Sequence, residues 1–294
     1  VTRPAIGLVG AGRVGVVLTS ALAAAGHPVA GVHARSDASW DRASAALGDV
    51  RRVADPTELR DGSVGLLLLA VSDTALPSVV AELAAAGRWD GVTAAHVAGT
   101  YGIGVLDPLT AQGAEPLAVH PAMTFTGAVD LETARLRGSR FAITGSPAGA
   151  AVGTRLVLDV GGVPVAVPEQ ARSLYHAAVV HACNHVVTLI AQAGEMLRAA
   201  GVDDPEVLRA SSTAALDNAL KAGIGALTGP VSRADTGTLH SHLAAIGAAT
   251  PDALDSYLTL ARATADLAAA AGRLDPAGHA AVLAALPGPD ADQR

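Results

Sequence analysis

The chain has 294 residues, half of them hydrophobic, which is enough for two ordinary domains and a sizeable core. A formal net charge of −7 argues against a phosphate-backbone binder, and an aromatic content of 2% leaves no stacking platform for single-stranded nucleic acid. A single cysteine, Cys183, excludes an intrachain disulfide framework and a multi-cysteine zinc site, so no metal site is expected.

The opening VTRPAIGLVG lacks the features of a secretory signal, and a cytoplasmic location is expected. AIGLVG (5–10) predicts a short strand, followed by a glycine turn and an amphipathic helix to about Ala25. PVAGVHA (28–34) reads as a second strand. SVGLLLLAVS (63–72) is the continuous apolar run of a strand buried on both faces of a parallel sheet. Asp73 is the expected N-cap of a helix to about Ala86. Further strands are predicted at 92–99, 116–120, 140–144 and 163–168, with a helix between Ser146-Pro147 and Gly161-Gly162. This alternation predicts an α/β domain, a doubly wound Rossmann-type parallel sheet.

Beyond Pro168 the pattern turns helical: about 169–200, Asp204-Pro205 to about Ala222, a start at Asp235 or Thr236, and Thr250-Pro251 to about Ala271. The expected organisation is a Rossmann-type domain over 1–168, an all-helical domain over 169–286 and a disordered tail over 287–294. Two uncharged segments, Val14–His33 and Ser173–Gly194, have the length of a membrane span. A Gly-His-Pro break interrupts the first. The second, which contains LYHAAVVHACNHVV (174–187), carries His176, His181, Asn184, His185, Thr188 and Gln192. Both read as buried core, with no membrane partner.

GLVGAGRVG places Gly10, Gly12 and Gly15 in the G-x-G-x-x-G spacing, directly after a strand and opening a helix. Glycines there permit a tight turn, close approach of backbone to a pyrophosphate and close helix–strand packing. The loop residues Gly10, Ala11, Gly12, Arg13, Val14 and Gly15, with Val71 and Ser72 at a neighbouring strand end, are the expected dinucleotide contacts. An NAD site usually has Asp or Glu about twenty residues beyond the loop. Here HARSD puts Arg35 and Ser36 in that place, which suits a 2′-phosphate and predicts NADP(H). Arg35 as a solvated loop residue is the competing reading.

His120-Pro121 lies at a predicted strand end, where it either faces a ligand or caps the strand. On a helix, His181, Thr188, Gln192 and Glu195 share one side within about 40°, and Asn184 lies about 60° from His181. One small substrate could meet His181 and Asn184 together, whereas His176 would act elsewhere; alternatively the polar stripe pairs with neighbouring helices. In ALTGPVSRADTGTLHSHL (226–243), Thr228, Gly229, Arg233 and Asp235 frame a helix start suited to a carboxylate. Ordinary helix-start chemistry explains Asp235 but not Arg233. Lys221 is the chain's only lysine.

The succession LVGAGRVG, LLLAVSD, HVAGTYG, AVHPAMTF, LYHAAVVHACN and ALTGPVSRADTGTLHSHL resembles a family of Rossmann-type proteins with a C-terminal helical domain of unknown function. That family is similar in architecture to ketopantoate reductase, pyrroline-5-carboxylate reductase, hydroxyacid dehydrogenases and prephenate dehydrogenase, with a helical domain like the C-terminal part of 6-phosphogluconate dehydrogenase. The resemblance implies an oxidoreductase with NADPH on the first domain, a small-molecule carboxylate substrate in the cleft between the domains, and a homodimer through the helical domain. Ketopantoate reductases carry a helical Lys four residues before an Asn; with Asn184 in the Asn place, the Lys place is Val180. His181, His176 and His120 are then the candidate proton donors. The expected activity is reduction of a small 2-keto acid, ketopantoate among them. A cyclic-imine reductase and a catalytically idle NADP-binding protein are the alternatives.

Overall fold

The computed structural model describes residues 3–287. Most of the expected tail lies outside the described residues. The chain divides into two compact units, Val1–Cys183 and Asn184–Arg294.

The first unit holds one sheet of eight strands: β1 (Ile6–Val9), β2 (Val29–His33), β3 (Arg52–Val53), β4 (Leu66–Leu69), β5 (Thr93–His96), β6 (Glu115–Pro121), β7 (Arg140–Gly145) and β8 (Val163–Ala166). Their order is β3-β2-β1-β4-β5-β6-β7-β8, and every pairing is parallel except β6 with β7. The chain order reverses between β1 and β4, where a doubly wound sheet opens a crevice beyond its strand ends. The four leucines of β4 show why the run reads as continuous. Leu66 and Leu68 enter one core with Ile6, Leu8 and Val16, while Leu67 and Leu69 enter another, on the opposite face, with Val9, Leu76 and Val80.

Around the sheet lie α1 (Arg13–Ala24), α2 (Asp37–Leu47), α3 (Leu76–Ala85), α4 (Asp107–Thr110), α5 (Val129–Arg135) and α6 (Pro147–Asp159). Three of these, α2, α4 and α5, and the two-residue β3 go beyond the sequence expectation. Their segments are short or polar: α2 buries only Ala43 and is started by Ser36, whose side chain accepts from Ser39 N.

A long helix, α7 (Arg172–Ala199), crosses the division between the units. The division therefore falls inside α7 rather than at residue 168. The reason is a buried cation at the root of α7. The Arg172 guanidinium donates to Ala98 O at 2.7 Å, Tyr101 O at 2.9 Å and Ala142 O at 3.3 Å. Just before it, the Glu169 carboxylate accepts from Ile103 N at 2.7 Å and Gly104 N at 3.1 Å. These bonds tie the first turns of α7 to the sheet of the first unit.

The reading of 173–194 as buried core is corrected. The helix forms, but Arg172 is the only buried residue of α7, and Leu174 is 77% exposed. By length and composition alone, Glu169–Ala199 is apolar enough to cross a membrane.

The second unit continues with α8 (Glu206–Ala222), α9 (Thr236–Ala249), α10 (Leu254–Ala270) and α11 (Pro276–Ala285). Leu239 of α9, Ala261, Ala265 and Ala268 of α10, and Val282 of α11 form its core. The alanines of α10 let the neighbouring helices approach closely. By contrast, α8 buries none of its residues.

Candidate functional site: a groove at the strand ends of the first unit

The loop between β1 and α1 is shaped by its three glycines in different ways. Gly10 has φ +98, and a Cβ there would come within 2.7 Å of the Ala70 backbone, so only glycine fits. A Cβ on Gly15 would lie 2.3 Å from Gly10 O and 2.8 Å from the Ala70 side chain, which is the close helix–strand packing expected of the third glycine. At Gly12 the nearest atom to a Cβ would be Ala70 O at 3.9 Å, so no protein atom demands a glycine there. Gly12 is also the N-cap of α1, with no side-chain cap and no acid in the first turn. The unpaired N–H groups of α1 are thus open to an anion, and the bare backbone of Gly12 makes the cradle that a side chain would fill. The residues present fit a dinucleotide pyrophosphate.

Two cavities continue from this loop and share Gly12, Ala70, Val71 and Ser72 in their walls. The first, about 520 Å³, runs past Gly10 and Ala11 to Arg35, Ser36, Ser39, His33 and Asp55. Of these, Arg35 and Ser36 come from the sequence reading, and both are exposed. His33, Ser39 and Asp55 were missed. His33 ends β2 just before Arg35, whereas Asp55 follows β3 and comes beside Arg35 only through the pairing of β2 with β3. Asp55 is held below the usual carboxylate range chiefly by the Thr57 hydroxyl and amide, at 2.6 and 2.8 Å. Arg42 Nη1 donates to Ala11 O at 3.1 Å and braces the loop from α2.

The second cavity, about 400 Å³, lies on the other side of Gly12, with Arg13, Val14, Ser72, Gly99, His120 and His176 in its wall. Met123 and Phe125 line it from the segment after β6. That segment is held by the buried Glu132 carboxylate, which accepts from Thr126 N, from the Thr126 hydroxyl at 2.8 Å and from Gly127 N at 3.2 Å. Burial pushes Glu132 up, but these hydrogen bonds together leave it below its ordinary value.

His120 and His176 meet here, with ring centroids 5.5 Å apart and planes at 74°. His176 reaches the cavity because Gly99 has no side chain: a Cβ there would come within 2.4 Å of the His176 ring. His120 Nδ1 lies 2.9 Å from Tyr175 Oη, and the Arg172 guanidinium carbon sits 5.8 Å from the Tyr175 ring centroid. Burial first, then the positive fields of Arg172, His176 and His96, push His120 down to about 4. His96 lies fully buried on β5, with Nε2 2.9 Å from Gly102 O, and burial likewise pushes it down to about 4. Both imidazoles are therefore neutral at pH 7. Tyr175 was missed by the sequence reading, although it stands next to His176 at the root of α7.

The remaining candidates lie elsewhere. His181 and Asn184 are exposed on α7 and line neither of these cavities. In the second unit, Thr228 lines an apolar cavity of about 470 Å³ with Leu189, Met196 and the hydrogen-bonded pair His242–Tyr257. Arg233 lines a different cavity, beside Arg273 and the start of α11. Gly229 is at φ +114 in the turn. Asp235 caps α9 through Thr238 N at 3.0 Å, and its carboxyl is held low chiefly by the Thr238 hydroxyl.

Residues 1–121 match the Rossmann-like domain family, and residues 139–264 match the family described as a domain of unknown function, DUF2520. No curated protein matches the chain. Among solved structures, the chain is similar to a protein designated an NADP oxidoreductase from Bacteroides fragilis, at 20% identity and TM-score 0.75, covering 89% of this chain and 98% of that one. A protein from Thermotoga maritima has 17% identity and TM-score 0.66, covering 90% and 98%. An imine reductase from Pseudomonas sp. has 17% identity and TM-score 0.66, covering 97% and 100%. These similarities describe the fold.

Proposed function

We propose that the protein is an NADP(H)-dependent oxidoreductase that reduces a small carbonyl compound carrying a carboxylate, in the class of 2-keto acids such as ketopantoate. The observation that carries this reading is a pair of neighbouring cavities over the strand ends that share Gly12, Ala70, Val71 and Ser72 in their walls. The uncapped start of α1 and the bare Gly12 suit the pyrophosphate, Arg35 and Ser36 in the first cavity suit a 2′-phosphate, and the second cavity reaches His120 and His176. Gly10, Ala11, Gly12, Arg13, Val14, Val71 and Ser72 would hold the dinucleotide. When bound, it supplies the hydride. His120 and His176 would then hold the carbonyl oxygen and deliver its proton.

A cyclic-imine substrate is the second reading. It is favoured because, among the described residues, no lysine lines the cavity of His120 and His176, and an imine nitrogen, being more basic than a carbonyl oxygen, asks less of a protein acid. The solved structures add an imine reductase of similar fold. The protein is further proposed to act as a homodimer through its helical unit. Large apolar side chains on α7 and α8 are open to solvent, with Val187 at 67%, Leu216 at 51% and Leu220 at 80%.

The test is a fluorescence titration with NADPH and NADH, followed by NADPH oxidation against panels of 2-keto acids and cyclic imines. Tighter binding of NADPH, reduced at least tenfold by Arg35→Ala while NADH binding is unchanged, is the expected result. Equal affinity for both cofactors in the wild type refutes the assignment of Arg35. Tight binding with no turnover of either panel leaves a binding protein rather than an enzyme.

A further inference from the structure

His120 faces a difficulty if it is to supply a proton. At neutral pH it carries one ring proton, so giving that proton away would leave an imidazolate unless the other nitrogen gained a proton in the same step. Tyr175 stands at that other nitrogen. Its Oη is 2.9 Å from His120 Nδ1, and the two rings pack edge to face with centroids 5.7 Å apart. A phenol is a far stronger acid than a neutral imidazole N–H, which sets the direction of this bond: the tyrosine donates and Nδ1 accepts.

We propose that Tyr175 is the positioning residue and proton source for His120, holding the imidazole as its Nε2–H tautomer so that this N–H serves as the donor in the cavity. This deepens the reductase reading and rests on it. A bound reduced dinucleotide would supply hydride to the substrate carbon, leaving the electron pair of the double bond on the substrate's oxygen or nitrogen. That atom takes the proton from Nε2 as Oη passes its own proton to Nδ1. The imidazole stays neutral throughout, with its tautomer reversed, and Tyr175 becomes a phenolate. A proton from water then returns to Nε2, and the Nδ1 proton moves back to Oη.

Two features of the surroundings suit this path. Burial raises the Tyr175 phenol above its ordinary value, and the Arg172 guanidinium, 5.8 Å from the ring, offsets part of that rise and so lowers the cost of the transient phenolate. The same guanidinium is fixed by three backbone carbonyls, so its charge is already in place and need not reorganise. His120 lines the open cavity, which leaves a route for water to return the proton to Nε2.

The experiment combines histidine ¹⁵N NMR on the full chain without cofactor with kinetics of wild type and Tyr175→Phe. The expected wild-type spectrum shows His120 protonated at Nε2 and bare at Nδ1. Tyr175→Phe should mix the two tautomers, leave NADPH binding unchanged, and lower kcat about a hundredfold with KM within about twofold. A His120 protonated at Nδ1 in the wild type overturns the proposal, as does an unchanged tautomer and kcat in Tyr175→Phe. A wild type that binds no NADPH overturns the functional reading and the relay with it, whereas the spectrum decides on the tyrosine–histidine pair by itself.

Discussion

Gly12→Ala separates what the glycine loop does for the fold from what it does for a ligand. Gly12 has φ −77, which alanine adopts freely, and its new Cβ would meet nothing closer than Ala70 O at 3.9 Å. The folding cost is therefore confined to the poorer N-cap, under about 1 kcal/mol. The new methyl would nevertheless occupy the place where a pyrophosphate must approach the backbone. A tenfold loss of NADPH affinity, about 1.4 kcal/mol, is the least expected. Gly10→Ala is the contrast. Its φ of +98 and a Cβ 2.7 Å from the Ala70 backbone should cost about 2–3 kcal/mol of stability. Urea unfolding and NADPH fluorescence titration of both variants make the comparison. A Gly12→Ala protein that binds NADPH as tightly as wild type would refute the pocket assignment, and an unfolded one would refute the claim that Gly12 is not needed for packing.

Acid should destabilise the protein above the range in which its carboxylates titrate. His96 and His120 are pushed from 6.5 to about 4, so the unfolded chain binds more protons in that interval. Their contribution is fully present above pH 6.5 and is lost as pH falls toward 4, at most about 3 kcal/mol each. Urea midpoints between pH 7 and 4.5 check this, and His120→Gln should flatten the slope. Arg172→Ala should cost about 3 kcal/mol or more, because it leaves three carbonyl acceptors at the root of α7 without their donor. A thermal-unfolding scan that matches wild type would contradict that account. Leu220→Glu, at a side chain 80% exposed in the single chain, should leave secondary structure unchanged and shift sedimentation toward the monomer. Sedimentation identical to wild type would remove α8 from the interface.

The expected site residues that the structure brings to one cavity are those where one local stretch does the whole job. GLVGAGRVG specifies a strand end, a turn and a helix start within ten residues, and the structure places Gly10 and Gly15 where only glycine fits. Arg35 and Ser36 follow from the same local count and reach the same cavity. Tyr175 and Gly99 were not legible, because Tyr175 acts through His120, 55 residues earlier, and Gly99 matters only where the His176 ring packs against it. The histidine-rich stretch misled for a related reason. Its lack of charge reads as burial, yet within the single chain only Arg172 of α7 is buried.

By itself the sequence determined the alternation of strands and helices, the doubly wound sheet and the phosphate-shaped loop, because hydrophobic period and glycine spacing act over a few residues. Only the tertiary structure decided which histidines stand together. Strand order and the buried Arg172 bring β6, the turn after β5 and the first turn of α7 to one point, so His120 and His176 share a cavity, with Tyr175 bonded to His120, while His181 and Asn184 line no part of it. Proximity across the fold is set by pairing and packing between distant segments, and no local pattern encodes it.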